Sequence, residues 1–392
     1  MKKKIAIIGA GISGLVFTNL LKKKSKFEFC LYEKNNSIDL KQSYGIQLAV
    51  NSVSILNEIN FKNFSADEKC NPKKIDFYSL KNGSKICDLD ITKFNFENVS
   101  YTSLKRSSLV KFLRDNLFAN TIQFNKKIKK INFSNFKIEI DFDDNSSDVV
   151  DYIVISDGVF SPTKSILFKK DIKLNYSGSL AIRATLTKKD IKFLDQNNIS
   201  LFLGPNFHLV FYPLGKKNEF NLIGVAKKKL NEEVLYDRSF FENGNKVKKI
   251  LDETSIKQNY NLINLFTNAQ NLKCFPIFFS NKALQPNQKN VFFLGDAFFA
   301  LPPTFGQGAS QAIESAYELF KILDSKNIDS FNSYYKTRIK RIQMIHSRSR
   351  LNYFAFHLSN PILVLIRNII LKAIVTNRKF LNKYLGKIYL RE

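Results

Sequence analysis

Two clusters of glycine and acid carry most of the chemistry open to this 392-residue chain. The first lies near the amino terminus. Gly9, Gly11, Ser13 and Gly14 form a Gly-x-Gly-x-x-Gly turn, and Glu33 follows nineteen residues after Gly14. Such glycines let the backbone approach a pyrophosphate, and the amino end of a following helix offsets its charge. An acid at that distance accepts hydrogen bonds from ribose hydroxyls. The second cluster lies within Asn290–Tyr317. Gly295-Asp296 sets a carboxylate at the end of the apolar run Val291–Leu294, and Pro302-Pro303 makes a rigid loop. Gly306-Gln307-Gly308 then opens a helix patterned by Ala309, Ala312, Ile313, Ala316, Leu319 and Phe320. Open N–H groups at Gly306, Gly308 and Ala309 suit an anionic partner. A third pair, His208 and Tyr212, is spaced so that on a strand both side chains share one face.

The elements that position these residues follow from periodicity. Lys4–Ile8 and Phe27–Tyr32 read as strands, with a helix at Leu15–Leu21 between them. Strand, Gly-rich turn, helix, strand and terminal acid together mark a dinucleotide-binding βαβ unit, which alone does not choose between NAD and FAD. Tyr44–Leu56 leads from a loop into a helix, and Leu104–Leu113 is an amphipathic helix with a basic entry. Asp151–Pro162 holds a strand that runs into Asp157-Gly158. Residues 171–289 carry no βαβ units. Strands are predicted at Leu180–Thr187, Ser200–Leu203, His208–Pro213 and Asn221–Val225, forming an antiparallel sheet. Phe331–Arg350 reads as a basic helix. Ile362–Val375 is an apolar run interrupted by Arg367 and Lys372, which fits a helix docked on the protein or one lying at a membrane interface. The docked helix is the expectation carried forward.

Composition narrows the classes. The three histidines and the scattered cysteines Cys30, Cys70, Cys87 and Cys274 give no metal-ligand spacing and no disulfide framework. The net charge of +27 is spread through the chain without a nucleic-acid-binding motif, so no nucleic-acid partner is expected. No apolar run approaches the ~20 residues of a membrane span. Met1-Lys-Lys-Lys before an apolar run imitates a signal peptide, but the glycines that follow argue against one. A cytoplasmic protein is expected, with peripheral contact to the inner face of a membrane through the basic carboxyl-terminal region as the open alternative.

In motif order, most of residues 1–350 resembles the group A flavoprotein aromatic hydroxylases, which have the p-hydroxybenzoate hydroxylase fold. Gly295, Asp296, Ala297, Pro303, Gly306, Gln307 and Gly308 match the family's carboxyl-side FAD motif, with Phe299 and Ser315 where His and Asp are common. Leu203–Val225 is similar to the salicylate and hydroxybenzoate hydroxylase branch, in which Gly-Pro, His, Tyr-Pro and Asn-Leu recur in this order. The resemblance implies FAD as cofactor and NAD(P)H as co-substrate. It implies that the amino-terminal unit holds the ADP half, that Asp296 meets the ribityl chain, and that Arg106, followed by Leu109, contacts the cofactor. The backbone at Ile128 would meet the adenine. Asp157 belongs to the family's middle motif, with Lys164 in place of a usual arginine, and Gln47 falls near the flavin.

The implied fold is α/β, a Rossmann-like FAD-binding domain with an inserted, mainly antiparallel β-sheet substrate domain and a helical carboxyl terminus. The FAD-binding domain would comprise residues 1–75, 99–170 and 290–345, and the substrate domain 76–98 and 171–289. Residues 346–392 would form the helical region. The implied reaction is hydroxylation of a small phenolic or related aromatic substrate by O₂ through a flavin C4a-hydroperoxide. His208 would be the base that removes a phenol proton, Tyr212 would orient the substrate oxygen, and Arg183 could meet a substrate carboxylate. Two rival activities share the fold: a membrane-associated hydroxylase of quinone biosynthesis, and a reductase of prenyl double bonds without oxygen insertion.

Overall fold

The structure is a computed structural model. It describes residues 2–390 apart from 24–25, 42–43, 189–190, 192–194, 216–217, 268, 270–271 and 326–329. Strand β1 (Lys3–Ile8), helix α1 (Ile12–Lys22) and strand β2 (Phe27–Tyr32) form the expected βαβ unit. They sit in a five-stranded parallel sheet whose spatial order is Val291–Phe293, Tyr152–Ile155, β1, β2, Ile122–Gln123. Ile5–Ile8, Ile153–Ile155 and Val291–Phe293 are all buried, as strands covered on both faces require.

α1 packs against the helix Gly308–Asp324. This brings the two glycine clusters together although they are nearly three hundred residues apart in sequence. A Cβ on Gly295 would come within 2.9 Å of the Ser13 hydroxyl. Gly14 is equally constrained, since a Cβ there would lie 2.2 Å from the Gly9 carbonyl oxygen.

A seven-stranded sheet forms the second layer. Its order is Lys273–Phe279, Asn175–Thr187, Glu219–Lys227, Phe207–Pro213, Ile199–Gly204, Lys74–Ser79, Lys85–Asp90. Every pairing is antiparallel except that of Ile199–Gly204 with Lys74–Ser79. The four predicted strands are present, each slightly longer than its apolar pattern. Alternation divides their side chains. Phe207, Leu209 and Phe211 enter an apolar core behind the sheet, whereas His208, Val210 and Tyr212 face a cavity in front. Gly244–Asp252 and Tyr260–Thr267, which the strand reading of residues 171–289 did not anticipate, are helices. Their buried residues Val247, Ile250, Leu251, Leu262, Leu265 and Phe266 close that rear core.

The basic segment is a long helix, Ser330–Phe356. A buried polar knot joins it to the Gly308–Asp324 helix. Glu314 accepts from Arg338 Nη1 at 2.9 Å, Arg341 Nε at 2.7 Å and Asn51 Nδ2 at 2.6 Å. Burial opposes the charge of Glu314, but the two arginines outweigh it and hold the carboxyl below its ordinary range.

Pro361–Thr376 meets the docked-helix expectation on one side, where it packs on the strand Lys85–Asp90 and sets Leu371, Ile374 and Val375 against the core. Asn360 caps it, accepting from Ile362 N at 2.9 Å and Leu363 N at 3.2 Å, and Pro361 opens its first turn. Its buried residue is Arg367, while Ile362, Leu365, Ile366, Ile369 and Ile370 are exposed. One side of the helix thus meets the sheet and the cavity, and the other faces solvent.

Candidate active site

Two cavities meet the motifs. A cleft of about 320 Å³ is lined by Gly9, Ala10, Gly11, Glu33, Arg106, Lys126, Ile128, Asp157 and Gly158, among others. Gly9 adopts φ +98°, and a Cβ there would stand 2.8 Å from Asp157 Cα, so the turn admits glycine alone. Glu33 Oε2 accepts from Ala10 N at 2.9 Å, and its Oε1 accepts from Asn35 N at 3.0 Å. The carboxylate is thus fixed at the cleft and keeps lone pairs for a ligand hydroxyl. The Arg106 side chain lies over Tyr44, 5.8 Å from the ring centroid. Ser13 and Gly14 do not line the cleft; they set the packing beneath it.

The larger cavity, about 940 Å³, lies between the loop Pro303–Ala309 and the front of the seven-stranded sheet. Asp296, Gly306, Gly308 and Ala309 line one side, and His208, Tyr212, Arg183, Val210 and Ile223 the other. Gly306 takes φ +62° and directs the chain into the helix, whose first turn has no side-chain cap. Asp296 opens onto the cavity but is otherwise enclosed by protein. This enclosure pushes its carboxyl up to about 6, against the opposing pull of Lys164. Lys164 is buried, and burial lowers its ammonium while Asp157 and Asp296 favour the charge. The lysine that stands in for an arginine is therefore in electrostatic contact with both acidic loops.

Tyr212 belongs to a polar cluster that sequence spacing did not reveal. Tyr101 donates to Gln47 Oε1 at 2.7 Å, and Gln47, Tyr101 and Tyr212 all line the cavity. Arg183 stacks over Tyr44 with 4.5 Å to the ring centroid. Burial pushes the Tyr212 hydroxyl upward, and Arg183 pulls it back. His208 has a partner from the far end of the chain. His208 Nδ1 and His357 Nε2 are 3.0 Å apart, and His357 Nδ1 lies 2.8 Å from the Tyr353 carbonyl oxygen. If His357 donates to that carbonyl, its Nε2 accepts the His208 proton, and His208 Nε2 is left as an acceptor. Burial and His357 push His208 well below its ordinary value, so the ring is neutral at neutral pH and a weaker base than spacing implied. Phe305 lines the cavity, whereas Phe298 and Phe299 turn away and pack against Tyr335 and His346.

Unsatisfied polar atoms test whether these surfaces suit a cofactor. Asp157 Oδ1 and Gln307 Nε2 are buried without a hydrogen-bond partner. Each such orphan costs roughly 1–3 kcal/mol unless a ligand or water meets it. One stands at the cleft and the other at the start of the Gly308–Asp324 helix beside the larger cavity. With the glycine-only turn at Gly9, they fit an elongated polar cofactor whose diphosphate end meets the cleft and whose ring end meets Gly306–Ala309.

Comparison with known proteins agrees. The NAD(P)-binding Rossmann-like domain family matches residues 7–38. The chain is 22% identical over 365 residues to the 3-amino-4-hydroxybenzoate 2-monooxygenase of Streptomyces cremeus, covering 91% of this chain and 88% of that one. It is 21% identical to the 6-hydroxynicotinate 3-monooxygenase of Bordetella bronchiseptica, covering 92% and 94%. The fold matches that of Klebsiella pneumoniae HpxO, solved with FAD and uric acid, with a TM-score of 0.83 at 17% identity over 99% of this chain and 97% of that one. In fold, motif order and relatives, the chain is similar to the group A FAD-dependent aromatic monooxygenases.

Proposed function

We propose that this protein uses NAD(P)H and O₂ to hydroxylate a phenolic or related aromatic substrate held in the larger cavity, between the Gly306–Ala309 turn and the face of the sheet that carries His208 and Tyr212. The observation that carries the reading is the convergence on that cavity of the Gly306–Ala309 turn and the sheet face bearing His208 and Tyr212. Bound FAD, once reduced, supplies the activation of O₂.

The chain's own residues do the rest. Gly9, Gly11 and the amino end of α1 hold the diphosphate, with Ser13 and Gly14 setting that approach. Glu33 and Arg106 hold the ADP half, and the backbone at Ile128 meets the adenine. Asp157 and Asp296 hold the polar chain that links the two ends. Backbone N–H groups at Gly306, Gly308 and Ala309 stabilise negative charge on the ring. Phe305 and the apolar sheet face exclude water. Tyr212, steadied by Gln47 and Tyr101, orients the substrate oxygen, and Arg183 favours its anionic form. His208 accepts the phenol proton through Nε2, and its low basicity returns that proton readily.

The experiment is His208→Ala with His208→Gln beside it. Both variants should keep FAD and still oxidise NAD(P)H when substrate binds. Hydroxylated product per NAD(P)H consumed should fall at least about tenfold, within the usual 10²–10⁴ span of a positioned base. An unchanged product yield in both variants removes His208 from the mechanism.

A further inference from the structure

The Pro361–Thr376 helix is apolar on two sides. Leu363, Ile366, Arg367, Ile370, Leu371 and Ile374 line the larger cavity, at the i, i+3, i+4, i+7 spacing of one helix face. Ile362, Leu365 and Ile369 lie on another face and are 69%, 61% and 59% exposed. The helix is thus a wall with the cavity behind it and bare isoleucine and leucine in front. Nine of the eighteen exposed large apolar side chains among the described residues lie between Leu351 and Phe380. An apolar patch so concentrated marks a docking surface.

Charge selects the occupant. Residues 330–391 contain thirteen Lys and Arg and no Asp or Glu. Arg350, Lys372, Arg378, Lys379 and Lys383 are exposed around the patch. A second copy would bring the same positive charge against itself, whereas an anionic lipid surface complements it. At 16 residues the helix is ~24 Å long, too short to cross a ~30 Å hydrocarbon core and suited to lying in the interface. Among the described residues no helix is long and apolar enough to span.

We infer that the outer face of the Pro361–Thr376 helix seats in the surface of an anionic bilayer, and that the cavity behind it takes an aromatic substrate with an apolar tail drawn from that bilayer. This rests on the monooxygenase reading above and deepens it. A cavity of about 940 Å³ is near the top of the range for ligand sites and is larger than a flavin ring and a bare phenol require. The surplus volume is walled by Leu363, Ile366, Ile370, Leu371 and Ile374, side chains that offer a ligand only apolar contact. Arg367, held inward by donation to the Ala355 carbonyl oxygen at 3.2 Å, keeps its charge away from the lipid-facing side.

The test uses the full-length, FAD-loaded protein. It is sedimented with vesicles of phosphatidylcholine alone and with vesicles containing phosphatidylglycerol. The wild type should sediment with the anionic vesicles. Leu365→Glu/Ile369→Glu should lose at least about tenfold in vesicle affinity, and Arg378→Glu/Lys379→Glu should lose the preference for anionic over neutral lipid. All should keep the flavin spectrum. Phenol and 4-nonylphenol are then titrated against that spectrum, and the tailed probe should perturb it at a concentration at least about a hundredfold lower. A yellow wild type that stays in the supernatant overturns the lipid surface. So does a dimer, detected by sedimentation velocity, that Leu365→Glu/Ile369→Glu dissociates while vesicle binding is absent. Equal concentrations for the two phenols overturn the tailed substrate. Failure to hold FAD at all instead strikes the monooxygenase reading, so the two failures are distinct.

Discussion

The cleft at Gly9 and the larger cavity are built in opposite ways. The cleft is built around backbone: Gly9 lines it and Gly14 closes the turn beneath it because they lack side chains, and the βαβ unit with the loop after it shares the lining with Arg106, Lys126–Ile128 and Ser156–Gly158. The cavity is made of side chains from Tyr44–Gln47, Tyr101, Arg183, the strand His208–Tyr212, Asp296–Ala309 and the carboxyl-terminal helices. A backbone site tolerates almost no change in residue type at its glycines but leaves the rest of its sequence free. A side-chain site gathered from distant segments can be altered one wall at a time. On the proposed reading, the first region anchors the cofactor and the second carries both the reaction and its specificity.

Substitutions at the two regions should differ accordingly. The largest effect is expected at Gly14→Val, where the new Cβ would lie 2.2 Å from the Gly9 carbonyl oxygen. Soluble expression and FAD content should both collapse; a stable, fully yellow variant would show that the turn is not closed as described. Next comes Glu314→Gln, which leaves the buried Arg338 without its principal carboxylate. Breaking such a pair costs about 3–5 kcal/mol, to be read from denaturant midpoints, and Glu314→Asp should recover part of it. The smallest effect is on pH dependence. His208 and His357 both have lowered values, His357 to about 4, so the unfolded chain binds protons that the folded chain refuses. Their contribution to stability is complete above the ordinary value of about 6.5 and declines as pH falls below it. Near pH 5.5 the loss should be about 1 kcal/mol per histidine. Thermal melts at pH 7.5 and 5.5, with and without His357→Phe, would measure it.

The cleft was legible in the sequence because its logic is local. A strand, three spaced glycines, a helix and an acid specify one geometry. The four central strands were legible for the same reason, since alternation of Phe207, Leu209 and Phe211 with His208, Val210 and Tyr212 reads directly as two faces. Asp296 and the Gly306–Ala309 turn were also visible as a dense local motif. What sequence did not show is pairing across distance. Nothing near His208 signals His357, nothing near Glu314 names Arg338 and Arg341, and Tyr101 meets Gln47 only because the strand Gly45–Leu48 pairs with Thr102–Lys105, which Tyr101 precedes. The short helices behind the sheet were missed between stronger strand signals. The second, exposed apolar face of Pro361–Thr376 was not legible because hydropathy reports that a residue is apolar, not what covers it.

The central claim is that the larger cavity would hold an aromatic ring where one atom of O₂ is inserted into it, with bound FAD supplying the activation of O₂. The most direct measurement is mass spectrometry of the product formed from phenols under isotopically labelled oxygen gas with NAD(P)H. The account predicts one labelled oxygen atom per product molecule from the wild type. NAD(P)H consumption that yields only peroxide or a reduced, unlabelled product would contradict it.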